Sequence, residues 1–310
     1  MLGISAAMRI ALTLFTLTLT SFADSQADFT IQKNIDYAGT MNPRQSLDLF
    51  IPKKASEKPR PLVVYIHGGG WEGGSKNDAG VLAGLVTDGD FVAASVGYRL
   101  TNEAHWPAQI HDCKAAIRWL RAHAGEHGID PERIAVFGIS AGGHLVSLLG
   151  TTTGDGPKEL EGDIGDNDAV SAKVSCVINF CGPANFLTFA DKGSIISVES
   201  PGTAITKLLG GPLSEKKDAA TACSPVTHIT KNDPPFLHIH GTKDNLVPYA
   251  QALEFDAALE KAGIPSTLLT GTGGAHVFFS KELFGHMKTF LARHLLGETQ
   301  DVPEGPVAIK

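Results

Sequence analysis

The pentapeptide Gly138-Ile139-Ser140-Ala141-Gly142 fits G-x-S-x-G and stands between a run of strand character and a helical pattern. A sharp strand-to-helix turn of this kind lifts a serine hydroxyl above a sheet edge, and its glycines keep Cβ atoms out of the crowded turn. The start of the helix adds backbone N–H groups and a partial positive charge beside the hydroxyl. A serine is a weak nucleophile until a base takes its proton, and that base needs an acid to orient it. In this arrangement the partners follow in the order Ser, acid, His. Asp244, in His240-Gly241-Thr242-Lys243-Asp244, follows the apolar run Phe236 to Ile239, and His276, in Gly273-Gly274-Ala275-His276, follows the strand-like Ser266 to Leu269. Both sit where a strand's carboxyl end meets a loop, on the sheet edge that Ser140 occupies. The rival acids are poorly placed: Asp233 precedes its strand and Asp256 lies inside a helix. Among rival bases, His238 and His240 lie within or at the end of a strand, and His286 and His294 belong to the last helix. His144, one helical turn past Ser140, is expected to pack or cap.

Acyl chemistry also needs a place for developing negative charge. His67-Gly68-Gly69-Gly70-Trp71 follows an apolar strand, and a Gly-rich turn there can aim backbone N–H groups at a substrate oxygen. Gly69, Gly70 and Ala141 are the expected donors, with Trp71 as a substitute for one glycine. His67 is expected to brace the loop. No H-E-x-x-H and no C-x-x-C occurs, so no metal site is expected.

The elements that must hold these residues alternate. Apolar strands are expected at Leu62–Ile66, Phe91–Val96, Arg133–Phe137, Val174–Phe180 and Phe236–Ile239, each long enough to be covered on both faces. Helical patterns begin at Pro107 and run over Ala141–Leu149, Pro248–Ala262 and Phe279–Leu296. Two early strands, Thr30–Thr40 and Gln45–Pro52, read as a half-exposed antiparallel edge. The fold class is therefore α/β, a mainly parallel twisted sheet with helices on both faces. Residues 184–234 break the rhythm and are expected to form a lid-like insertion or pocket wall at the ligand-binding edge. Asp112 is expected on the surface or in an ion pair of its helix.

With 26 Lys+Arg against 33 Asp+Glu, the net charge of -7 argues against a nucleic-acid partner. No apolar run is long enough for a membrane span. Arg9, the apolar Ile10 to Leu19 and the small residues before Asp24 and Asp28 predict a signal peptide over 1–27, with cleavage near 23 or 27 and a secreted or periplasmic destination. The domain is expected over 28–297, followed by a flexible tail over 298–310. The four cysteines are expected to be buried thiols, with Cys176 and Cys181 on opposite faces of one strand.

His-Gly-Gly-Gly-Trp at 67–71, Tyr98-Arg99-Leu100, Gly-Ile-Ser-Ala-Gly-Gly-His-Leu at 138–145, Gly-Thr-Lys-Asp at 241–244 with Val247-Pro248, and the late His276 together resemble the α/β-hydrolase esterases. Within them the chain is similar to the secreted bacterial carbohydrate esterases of acetyl-xylan and feruloyl type, over about Asn34 to Leu296. The resemblance implies a cofactor-free carboxylesterase with Ser140 as nucleophile, Asp244 as acid and His276 as base. It implies short-chain acyl substrates, small or borne on polysaccharide. Ile139 and His144 replace the Asp and Asn usual in the hormone-sensitive-lipase relatives, which places the chain outside that branch. The Gly-Gly-Ala-His loop is longer than the Gly-His of many relatives. A formamidase, a lactonase or a lipase would use the same triad. A non-catalytic binding protein on this fold is the reading from another class.

Overall fold

A computed structural model describes residues 28–309, apart from 153, 155, 191 and 192. The leader reading, 1–27, lies outside the described residues. Nine strands form one sheet: β1 (Phe29–Asp36), β2 (Ser46–Pro52), β3 (Arg60–Ile66), β4 (Val92–Val96), β5 (Ile129–Ile139), β6 (Cys176–Phe180), β7 (Phe236–Gly241), β8 (Ser266–Gly271) and β9 (Gly305–Val307), in the spatial order β1-β2-β4-β3-β5-β6-β7-β8-β9. β2 runs antiparallel to both β1 and β4, and every pairing from β4 to β9 is parallel. The helices are α1 (Gly80–Val86), α2 (Ala108–Ala122), α3 (Ala141–Thr151), α4 (Ala204–Leu209), α5 (Lys217–Cys223), α6 (Ala250–Lys261) and α7 (Lys281–Leu291). Among the described residues no helix is long and apolar enough to cross a membrane.

Side chains on β3 alternate between two apolar clusters. Leu62, Val64 and Ile66 join one with Ile110 of α2 and Leu145 of α3. Val63 and Tyr65 join the other with Leu82 of α1 and Met287 of α7. The sheet is thus covered on both faces, which is why its central strands read as unbroken apolar runs.

Four expectations are corrected. β2 is not a half-exposed edge: it lies between β1 and β4, and Leu47, Asp48 and Leu49 are all buried. Asp48 is tolerated there because the buried Lys76 bonds it at 2.6 Å. The expected tail over 298–310 is not free throughout, since β9 pairs in parallel with β8. Asp112 is fully buried rather than on the surface. It accepts from Arg99 at 2.8 Å and from Gln45 at 2.8 Å, so its partners come from loops outside its own helix. Cys176 and Cys181 share one apolar cluster, because the strand ends at Phe180 and Cys181 turns into positive φ, which breaks the alternation. All four cysteines are buried free thiols.

The insertion is built into the core rather than hinged above it. Its Phe186, Phe189, Ile205 and Leu208 belong to the larger apolar cluster. Val226 N–H donates to Ala184 O at 3.2 Å, closing the segment near its base. It forms a wall tied to the sheet edge.

Candidate active site

β5 ends at Ile139 and α3 begins at Ala141, leaving Ser140 as the single residue of the turn. Its backbone sits at φ 58°, ψ -118°, a conformation that strains any residue with a side chain. The neighbouring backbone compels it. A Cβ on Gly142 would meet His67 O at 2.7 Å, and one on Gly68 would meet Ile139 O at 2.8 Å. Glycine at these positions lets β3's loop and the turn after β5 lie against each other. Ser140 N–H donates to Phe180 O at 2.8 Å, fixing the turn to the end of β6.

The loops after β7 and β8 complete the arrangement. His276 Nε2 lies 2.8 Å from Ser140 Oγ, and His276 Nδ1 lies 2.7 Å from Asp244 Oδ2. The other carboxylate oxygen, Oδ1, accepts from the backbone N–H of Leu246 at 2.9 Å and Val247 at 3.0 Å. Burial by itself raises the Asp244 carboxyl, but hydrogen bonds from His240 and His276 outweigh it and hold the group down at about 2. Asp244 is therefore an anion at neutral pH and only accepts. That assigns the proton of His276 to Nδ1 and leaves Nε2 free to accept from Ser140. The Asp244 side chain is fully buried and that of His276 is 18% exposed, so the pair opens to solvent only at the imidazole.

The Gly-rich loop at 67–71 is shaped as its glycines require. Gly69 and Gly70 have φ of 113° and 60°, and Trp71 also takes positive φ, at 58°. Among the described residues, none accepts from the backbone N–H of Gly69, Gly70, Trp71 or Ala141. The Trp71 ring turns inward and donates from Nε1 to His144 Nδ1 at 3.2 Å. His144 Nε2 then donates to Cys223 O at 2.7 Å, so His144 packs, and burial lowers it to about 4. His67 is buried and stacks on Tyr98 at 4.3 Å, while Tyr98 OH donates to His67 O at 2.9 Å. The insertion reaches this loop too: Lys207 of α4 pairs with Glu72 at 2.5 Å. It also reaches the loop of Asp244, where Ser194 Oγ donates to Leu246 O at 2.6 Å.

Ser140, Asp244 and His276, singled out in the sequence, are brought together. The rivals are not. Asp233 caps Thr230 in the approach to β7, and Asp256 bonds Ser266. Two contacts escaped the sequence reading. Cys181 Sγ lies 3.9 Å from His276 Nε2, and His240 Nε2 lies 3.1 Å from Asp244 Oδ2. His240 begins the same His-Gly-Thr-Lys-Asp motif, a spacing of four that could have signalled contact across a tight loop. Nothing in the sequence signalled Cys181. Among the described residues, Cys181, Asp244 and His276 bring three metal-capable atoms within 4.8 Å of one another. Asp244 and His276 already bind each other, and burial raises the Cys181 thiol well above its ordinary value. An ion entering there would have to break the bond that orients His276.

The model of the BD-FAE family matches residues 47–259, a span that contains Ser140 and Asp244. The chain belongs to the BD-FAE family. Its fold is that of the α/β-hydrolase esterases. Among curated proteins, the esterase LipC of Mycobacterium tuberculosis is 33% identical over 69% of this chain and 52% of its own length. The chain thus spans about half the length of the curated relatives it matches. Among solved structures, a truncated carbohydrate esterase from gut microbiota is 29% identical with a TM-score of 0.78, covering 86% of this chain and 96% of that one. A thermophilic esterase from Thermogutta terrifontis, solved with propionate bound, is 26% identical with a TM-score of 0.66 over 90% of this chain and 98% of its own.

Proposed function

We propose that this chain is a serine carboxylesterase that hydrolyses short-chain acyl esters through an acyl-enzyme. The observation that carries the reading is the unbroken relay from Ser140 Oγ to His276 and on to Asp244, with bonds of 2.8 and 2.7 Å. Ser140 Oγ attacks the ester carbonyl while His276 Nε2 takes its proton. Asp244 stays ionised and stabilises the imidazolium. The tetrahedral oxyanion receives hydrogen bonds from Gly69, Gly70 and Ala141, with Trp71 N–H as a further donor. Collapse returns the proton to the leaving alcohol, and water, activated by the same base, releases the acid. The scheme requires no cofactor or metal.

The acyl group is read as acetyl to butyryl. A carbohydrate esterase and a propionate-bound esterase among the structural relatives support that choice. The polymer-borne substrate rests on the same relatives and on the leader reading at 1–27, by which the enzyme would meet its substrate outside the cytoplasm. With p-nitrophenyl esters, kcat/KM is expected to be highest from acetyl to butyryl. It should fall sharply by about C8, since each CH₂ left in water forgoes roughly 0.8 kcal/mol. Acetylated xylan and methyl ferulate, assayed beside them, test the polysaccharide assignment. A preference for C10 or longer esters with activation at an oil surface would make the enzyme a lipase, with 184–234 as its lid.

A further inference from the structure

Asp244 serves two imidazoles, and only one of them belongs to the relay. His240, the penultimate residue of β7, is 1% exposed. Its Nε2 lies 2.7 Å from Val247 O and 3.1 Å from Asp244 Oδ2. A carbonyl oxygen and an ionised carboxylate can only accept, so Nε2 must carry the hydrogen and share it between them. Leu246 N–H, Val247 N–H, His276 Nδ1–H and His240 Nε2–H thus give Asp244 four donors, two on each oxygen.

We propose that His240 is a positioning residue for ester hydrolysis: its Nε2–H is the second donor on Asp244 Oδ2, and it governs how strongly that oxygen draws the proton on His276. The proposal rests on the Ser140–His276–Asp244 reading above. Two effects follow from the geometry. His240 ties the carboxylate and Val247 O together, which fixes the loop that aims Oδ2 at His276. It also takes up part of the charge on Oδ2, so the imidazolium formed during attack gains less from that oxygen. Without His240, Oδ2 keeps more of its charge and draws the His276 proton more strongly, so activity needs a higher pH.

The other groups facing this cluster do not compete for that role. His238, on the same strand, is buried and lowered to about 3, so it is neutral in the working range. Tyr249, at the start of α6, meets the His240 ring edge-on at 5.8 Å, and its hydroxyl is bonded to Thr270 Oγ1 at 2.7 Å. The Cys181 thiol, held protonated by burial, faces Nε2 of His276 on the other side of that ring.

The test compares His240→Met, which fills the space without a donor, with His240→Gln, whose amide N–H can reach the same acceptors. Using p-nitrophenyl acetate from acid to alkaline pH, the Met variant should lose about tenfold in kcat, with KM changed less than about twofold. Its acid limb of kcat/KM should move up by about half a pH unit or more. The Gln variant should keep both close to wild type. A Met profile superimposed on wild type, or equal impairment in Met and Gln, would overturn the proposal. Nitrogen-15 histidine NMR of the unmodified protein gives a readout that needs no variant to be active. It should show His240 as the Nε2–H tautomer, assigned by its disappearance in the Gln variant, and an Nδ1–H tautomer would overturn the assignment. Turnover surviving in Ser140→Ala would instead remove the triad reading, and the tautomer would still decide the contact.

Discussion

Ser140 and Asp244 make opposite demands on their surroundings. The hydroxyl needs a strained, half-buried perch; the carboxylate needs burial with every lone pair used. Ser140→Ala is expected to retain the fold and lose on the order of a thousandfold or more in turnover. Acyl-enzyme formation detected by mass spectrometry in that variant would contradict the assignment. Asp244→Asn should be nearly as damaging, for a reason specific to this site. Oδ1 accepts from two backbone N–H groups, so an amide must put its oxygen there. Its NH₂ then falls on the Oδ2 side, against His276 Nδ1–H, which has lost its acceptor, and His240 Nε2–H, which keeps only Val247 O. A Asp244→Asn enzyme with near wild-type kcat, beside an inactive Asp233→Asn, would place the acid in the wrong loop.

At the scale of elements, the site depends on how closely backbones approach. α3 and the loop after β3 are in contact because Gly142 has no side chain, and the obstacles a Cβ would meet are backbone atoms of Ile66 and His67. Backbone atoms of a central strand cannot swing aside as a side-chain end could. Gly142→Ala is therefore expected to cost at least about 2 kcal/mol of stability and to displace Ser140, removing activity. Gly125→Ala is the control: a Cβ there meets nothing within 4 Å, and melting temperature and turnover should stay near wild type. The insertion works at the same scale. By holding Glu72 through Lys207 and Leu246 through Ser194, it joins the oxyanion loop to the acid's loop from above. The Lys207–Glu72 pair is 45% and 42% exposed, so its value lies in placing loops more than in stability.

For the whole molecule, the buried histidines set the response to acid. Burial lowers His67 and His144 to about 4 and His238 to about 3, all from an ordinary 6.5. Below pH 6.5 the unfolded chain takes up these protons while the folded protein refuses them, so stability falls as pH falls. At 1.36 kcal/mol per pH unit, His67 and His144 each contribute on the order of 3 kcal/mol of loss, and His238 about 4, by the time pH reaches the folded value. Asp244 acts lower down. Its hydrogen bonds outweigh burial and bring it from 3.8 to about 2, so its contribution is intact above about pH 4 and is lost between 4 and 2. Urea unfolding followed from pH 7 to 4 should show a steep fall in midpoint. A midpoint constant over that range would mean that these rings are protonated in the folded state.

The sequence by itself determined which residues are candidates for the chemistry, because its signals are local. Ser140 between two glycines, the Gly-rich turn at 67–71, and Asp244 and His276 after apolar strands were legible, since turn geometry and strand burial each leave a short-range mark on residue type. The central parallel strands were legible for the same reason. What the tertiary structure decided concerns contacts between distant segments. β2 alternates in sequence like an exposed edge, yet β1 covers it. Gly305–Val307 carries too little apolar surface to announce a strand, and it becomes one only because β8 offers an open edge. Asp112 is buried because Arg99 and Gln45 arrive from other loops to satisfy it. Cys181 meets His276 through a positive φ that ends a strand, and two imidazoles share Asp244 because a tight loop folds back on its own strand. Local sequence chooses which groups are reactive; only packing chooses their neighbours, since a neighbour's cost or gain exists only once water has been excluded between them.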